Sequence, residues 1–212
     1  MDDFEDLDKT QDEELHGEER QTAKQVVKEL IPNIKADPKL KPSEFIKKYW
    51  AKYQDNFPSN QNINGKVFEE LVAIALIRTG IMPFYMQAKV AFIPYVNYDL
   101  IIYSNDIGPI SLSVKTSLRE RWKQADLEAV ALKYIHRKSK SFVITLDTDA
   151  VRRRRVDPSE AMGINGFILA DSDELDKVLD EIRGYKLELS PTVEVVSSSV
   201  VITSDNYSQR YS

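Results

Sequence analysis

The stretch between residues 84 and 117 constrains the fold of this chain most. It holds three consecutive strand-like segments, 84–93, 95–103 and 110–117, set between two helical patterns. Pro94 separates the first two, and Asn105-Asp106-Ile107-Gly108-Pro109 makes a turn before the third. On the N-terminal side a strongly apolar helix is predicted over 66–79, opened by Asn64-Gly65 and closed by Gly80. On the C-terminal side a helix over 124–137 lines up Leu127, Val130, Ala131, Tyr134 and Ile135 as its apolar face. A buried strand (141–146), a basic stretch (152–155), a second strand (166–169), a helix (173–183) and a β-rich segment (192–203) follow. Two further helices come first. One spans 20–32 and carries Val26, Val27, Leu30 and Ile31; the other starts at Ser43 as N-cap and stops near Phe57-Pro58. The aromatics of the second helix, Phe45, Tyr49, Trp50 and Tyr53, read as core or subunit interface. The order α-β-β-β-α-β predicts an α/β domain with a mixed central sheet flanked by helices.

A chain of 212 residues with 42% hydrophobic and 30% charged residues can bury a genuine core. No apolar run approaches the roughly 20 residues of a membrane helix, and an acidic start has the wrong charge for a signal peptide. The expected compartment is the cytoplasm. Cysteine is absent and histidine occurs only at His16 and His136. That excludes a disulfide framework, a cysteine nucleophile and zinc-finger chemistry. A metal site would have to use carboxylates, which favours magnesium, manganese or calcium.

The net charge of −5 hides an uneven distribution. Residues 1–20 hold ten carboxylates against Lys9 and Arg20, a local charge of −8, so +3 remains on 21–212. The first segment is expected to be a solubilising, disordered leader. The remainder is expected to form a single domain: N-terminal helices (21–60), a core (61–185) and a β-rich tail (186–212).

Within the three strands some polar residues occupy positions where apolar ones are expected. Alternation in Tyr98-Asp99-Leu100-Ile101-Ile102-Tyr103 puts Asp99 on a face with Ile101 and Tyr103, where an unpaired carboxylate would be costly. In the next strand Ser111, Ser113 and Lys115 share the polar face, so Lys115 could stand beside Asp99. Those two alone could be an ordinary ion pair at a sheet end. Glu128, near the start of the next helix, can fold back over the strand end. Two carboxylates and an ammonium suit magnesium-assisted attack of water on a phosphodiester.

Asp99, thirteen residues, then Ser113-Val114-Lys115 resembles the core of the PD-(D/E)XK nucleases, with serine at the usual second acid and Tyr98 where the name places proline. The variation resembles the EcoRII/NgoMIV-like branch of type II restriction endonucleases, which cut CCGG or interrupted CC…GG sites. That branch has serine-x-lysine and a displaced glutamate twelve or thirteen residues on; here twelve residues separate Lys115 from Glu128. It also places an arginine–acid–arginine cluster between the two, and Arg119-Glu120-Arg121 fits. Gly65-Lys66-Val67-Phe68-Glu69 resembles the helix that supplies a further acid, with Glu69 matching better than Glu70. The resemblance covers roughly 60–147 and implies a restriction-endonuclease-like core.

It also implies a Mg²⁺-dependent endonuclease acting on double-stranded DNA as a homodimer or higher homo-oligomer, beside a cognate DNA methyltransferase. Asp99 and Glu128 would hold the metal, Lys115 would act on the attacking water, and Glu69 would support the metal shell. Arg119, Glu120, Arg121 and Lys123 would contact DNA. An arginine can donate two bonds to guanine O6 and N7, and a glutamate can accept one from cytosine N4. A repair or junction nuclease of the same fold and a non-catalytic DNA-binding module remain the alternatives. Arg152, Arg153, Arg154 and Arg155 lack base-reading spacing and suit phosphate contact or plain exposure equally.

Overall fold

The computed structural model describes residues 22–58, 60–119, 121–156, 161–190 and 196–211. The acidic segment 1–20, Glu120 and residues 192–195 lie outside the described residues. Helices α1 (Ala23–Leu30), α2 (Pro42–Asn56) and α3 (Gln61–Arg78) precede strands β1 (Phe84–Val90), β2 (Tyr98–Ser104) and β3 (Gly108–Lys115). Then follow α4 (Arg121–Ile135), β4 (Lys140–Thr145), α5 (Thr148–Val156), β5 (Gly166–Leu169), α6 (Asp173–Arg183), β6 (Val196–Ile202) and α7 (Tyr207–Tyr211).

The strands form one mixed sheet in the order β5-β4-β3-β2-β1-β6. The β6-β1-β2-β3 part is antiparallel, whereas β3, β4 and β5 run parallel. A parallel pair needs a crossover, and α4 supplies it between β3 and β4. Helix α3 is apolar on nearly every side because it is enclosed: Val67, Phe68, Leu71, Val72, Ile74 and Leu76 are all fully buried between α1, α2 and the sheet. Each such Leu, Ile or Phe contributes about 1.5–3 kcal/mol of burial free energy. This core continues through Leu100, Leu112 and Ile144 of the sheet to Leu175 and Leu179 of α6. The opposite face carries two smaller clusters, one around Tyr98, Ile101 and Leu132 and one around Leu118, Trp122 and Val143.

The structure corrects several local expectations. Ser43 is not the N-cap of α2: it lies in the first turn, where Asp176 of α6 accepts from its N–H (2.9 Å) and its hydroxyl (2.7 Å). The donors of this helix start are thus shared between Asp176 of another helix and Glu44, which accepts the Lys41 N–H at 2.9 Å. Asn64-Gly65 does not open α3 but lies within it, since the helix begins at Gln61. The Asn64 side chain turns back to accept from the Tyr53 hydroxyl (2.7 Å) and the Asn60 N–H (3.3 Å). Strand β1 ends at Val90 and β2 starts at Tyr98, because Phe92 (φ 65°) and Tyr95 (φ 66°) turn the chain between them. The basic stretch is part of a helix, α5, that no apolar periodicity announces.

The largest correction concerns α4. Three of the five residues of its expected apolar face look outward, Leu127, Tyr134 and Ile135 being 65%, 84% and 39% exposed, whereas Val130 is half-buried and Ala131 packs against the Leu132 cluster. The buried side is Trp122, Ala125, Asp126, Ala129 and Leu132. Small residues win there because the chain must pass very close. A Cβ on Gly163 would lie 2.3 Å from the backbone nitrogen of Val130. Buried Asp126 accepts the N–H groups of Met162 (3.1 Å), Gly163 (2.8 Å) and Ile164 (3.1 Å), so the helix and this loop are tied together.

Candidate active site

The β2–β3 ladder runs as far as Leu100↔Leu112, and beyond it the strands are joined through a side chain. Asp99 Oδ2 accepts the Val114 N–H at 2.7 Å, in place of a backbone carbonyl, and the Lys115 ammonium at 2.7 Å. The Ser113 hydroxyl donates to the same oxygen at 3.4 Å. No described residue donates to the other Asp99 oxygen, and Asp99 lines a cleft of about 630 Å³ with Glu69, Lys66, Gln87 and Met86. The simple alternation expected through Asp99 is interrupted: Tyr98 packs with Ile101 on the α4 side, while Leu100 packs in the main core. That irregularity lets one residue lie at the sheet end between the two layers.

Glu69 projects from α3 and accepts from Gln87 Nε2 at 2.9 Å. Burial, reinforced by the nearby charge of Asp99, pushes its carboxyl up to about 7, with Lys115 and the Gln87 amide acting in the opposite sense. Its neighbour Glu70 is buried and engaged instead by Arg210 of α7. Glu128 on α4 accepts from Gln124 Nε2 at 2.8 Å. Burial raises its carboxyl too, and it interacts electrostatically with both Lys115 and Asp99. Four elements thus contribute, β2 with Asp99, β3 with Lys115, α3 with Glu69 and α4 with Glu128: Asp99 and Glu69 line the cleft, Lys115 is bonded to Asp99, and Glu128 feels the charges of both Asp99 and Lys115.

Sequence reasoning missed the residues that hold this arrangement. The buried Tyr98 hydroxyl donates to the Glu128 carbonyl at 3.0 Å, joining the strand of the first acid to the helix of the last. Asp147 accepts from the Leu118 N–H (3.1 Å), the Ser117 hydroxyl (3.4 Å) and the Ala150 N–H (3.0 Å). Burial would raise its carboxyl, but the bonds from Ala150, Leu118 and Ser117 outweigh it and hold it below its ordinary value. This one carboxylate caps α5 and pins the segment that follows Lys115. Both carboxylates, Asp126 and Asp147, serve contacts about 30 residues apart or more, which no local pattern reveals.

Of the expected DNA contacts, Arg119 stands at φ 30° and lines a pocket of about 210 Å³ with Asn64, Thr116, Ser117 and Arg121. A positive φ at a non-glycine residue costs free energy and marks a functional candidate. Arg121 and Lys123 are exposed at the start of α4. Arg154 of the basic stretch lays its guanidinium over the Trp122 ring at 3.8 Å, behind this segment.

The mixed six-stranded sheet flanked by helices is a restriction-endonuclease-like core. Among solved structures it is similar to one described as a complex of the restriction endonuclease PspGI with substrate DNA, with a TM-score of 0.57 and 18% sequence identity over 82% of this chain and 84% of that one. No protein-family model and no curated protein matches the chain. Among the described residues no helix is long and apolar enough to cross a membrane.

The raised Glu69 carboxyl has a measurable consequence. Its folded-state value of about 7 exceeds the ordinary 4.5, so the folded form holds a proton the unfolded form releases. Stability of the metal-free protein is therefore lost as pH rises between those values, and the penalty is complete above the higher one. Glu69→Gln is expected to raise stability by about 1–3 kcal/mol near pH 8 and by close to nothing below about pH 4. Denaturant unfolding at both pH values measures it; an equal change at both would deny Glu69 this burial cost.

Proposed function

We propose that this chain is a magnesium-dependent type II restriction endonuclease that hydrolyses phosphodiester bonds in double-stranded DNA at a site rich in CC/GG. The observation that carries the reading is the junction of Asp99 and Lys115 at the opened end of β2 and β3, with Glu69 lining the same cleft as Asp99; the influence of Asp99 and Lys115 on Glu128 supports it. The substrate DNA in the PspGI structure and the resemblance of the motif supply the substrate class.

The donors suit magnesium. All are hard carboxylate oxygens, and Glu69 and Glu128 are each burdened by burial and by the charge of Asp99, which a cation would relieve. No group of three or more His, Asp or Glu among the described residues forms a ready metal cage. Magnesium favours such partial sites, where water completes the shell. Asp99 and Glu128 would hold it and Glu69 would support the shell. When bound, the ion polarises a phosphoryl oxygen and makes a coordinated water more acidic. Lys115, fixed by Asp99, orients the attacking water and donates to charge developing on the phosphate. Arg119 and Glu120 read neighbouring G·C pairs, while Arg121 and Lys123 hold the backbone.

Incubation of plasmid DNA with Mg²⁺ is expected to give discrete fragments. Random degradation would favour a nuclease without base specificity, and no cleavage a binding module. Arg119→Ala is expected to weaken binding to the cleaved site by about 1–3 kcal/mol, and much less to random DNA. A uniform loss across sequences in a gel shift would make Arg119 a phosphate contact.

The working form in this reading is a homodimer matching the symmetry of the duplex, in the cytoplasm and beside a methyltransferase that protects host sites. The outward stripe of Leu127, Tyr134 and Ile135 on α4 supports it, as do exposed Phe92 and Tyr95 on the loop whose Ile93 shares a cluster with Leu132. Leu127→Lys with Tyr134→Glu is expected to leave a monomer in sedimentation that nicks poorly. An unchanged sedimentation coefficient would place the interface elsewhere.

A further inference from the structure

Gln87 is the residue of β1 that does not behave as a strand residue. Its φ is 49°, in the left-handed region, although it is not glycine and stands in the middle of the strand. The pairing skips it on both sides. Met86 pairs with Leu100 and Ala88 with Tyr98 across one edge; Met86 pairs with Val200 and Ala88 with Ser198 across the other. Gln87 thus stands opposite Asp99. The strand also changes face there: Phe84 and Met86 belong to the main core, Ala88 and Val90 to the cluster on the α4 side. A regular strand would keep all four on one face.

Glycine or asparagine would suit that backbone better, so the side chain must account for the choice. Both ends of its amide are used. Nε2 donates to Glu69 Oε2 at 2.9 Å, and Oε1 accepts from Asn97 Nδ2 at 2.7 Å. The turned backbone aims the side chain into the cleft shared with Glu69 and Asp99. A carboxamide donates to one neighbour while accepting from the other; an ionised glutamate would repel Glu69 and lysine could not accept from Asn97.

We propose that Gln87 is a positioning residue that fixes the Glu69 carboxylate beside Asp99 and so sets the affinity of the site for a divalent cation. The proposal rests on the nuclease reading and names a residue that the motif does not contain. Orienting partners of this kind typically change metal affinity by about 10–100-fold.

The test is a double-mutant cycle read in two ways: thermal unfolding titrated with magnesium chloride, and the Mg²⁺ midpoint of plasmid cleavage. Gln87→Gly suits the left-handed backbone and is expected to fold. Gln87→Asn, which also tolerates positive φ but is one methylene short of spanning both partners, serves should the glycine variant not fold. Either is expected to move both magnesium midpoints up by about tenfold. In a Glu69→Gln background the same change at 87 is expected to add no further shift, because the group it positions is gone. Full additivity, or an unchanged midpoint in the Gln87 variants, overturns the assignment while leaving the nuclease reading intact. A wild-type chain with neither a magnesium-dependent melting shift nor cleavage overturns both.

Discussion

Lys115→Ala is expected to abolish plasmid cleavage, by about a hundredfold at least, while specific DNA binding stays largely intact. The reason lies in what the ammonium touches. It is 2.7 Å from Asp99 Oδ2, the carboxylate that lines the cleft, and in the proposed role it acts at the scissile phosphate and not on base edges. Its removal also takes away a positive charge that lowers the carboxyls of both Glu69 and Glu128. Those acids would then ionise less readily in the cleft, which weakens the cation site further. The fold should survive, because Asp99 retains the Val114 N–H and the strands stay joined. A digestion and a gel shift on the same DNA measure the two effects. Equal loss of cutting and binding would contradict this role. Asp99→Ala should be inactive at every Mg²⁺ concentration, and it should also cost stability, since the Val114 N–H loses its acceptor.

How much of this was legible beforehand depends on the range of the interaction. Elements whose residues repeat a local pattern appear in the sequence: α3, the three central strands, β4 and α6. The acids and the lysine stand out because each is a polar residue in an apolar pattern, or stands at a spacing that resembles a nuclease motif. Gln87 did not stand out, because glutamine on a strand is unremarkable until its backbone is seen at φ 49°. Tyr98 was visible only as a missing proline, although its hydroxyl holds the Glu128 carbonyl. The α4 stripe misled for a physical reason. Periodicity locates an apolar face but does not say whether core or solvent lies beneath it, and close packing of Gly163 favoured the alanine side.

Glu128→Ala is also expected to remove cleavage, and it tests whether a carboxylate supplied by a helix replaces the one usually supplied by the strand. Ser113 stands two residues before Lys115, and its hydroxyl lies 3.4 Å from Asp99 Oδ2, so position 113 already points at the proposed cation site. Glu128 reaches the same region from α4, held by Gln124 at 2.8 Å and by the Tyr98 bond to its carbonyl. On the proposed reading the two positions are alternative sources of one ligand. Glu128→Ala combined with Ser113→Glu is expected to recover measurable cleavage over Glu128→Ala alone, yet to remain far below wild type. A glutamate on the strand would carry its oxygens further along than the serine hydroxyl, and a misplacement of about 1 Å can cost about a hundredfold. Ser113→Glu alone should cleave poorly, because a further acid would crowd Asp99 and Glu128. Full activity in Glu128→Ala would refute the assignment and leave the helix glutamate as a half-buried residue bonded to Gln124. Absence of recovery in the double variant, with the single variant inactive, would keep Glu128 as a ligand and show that the strand cannot present a carboxylate at the same point.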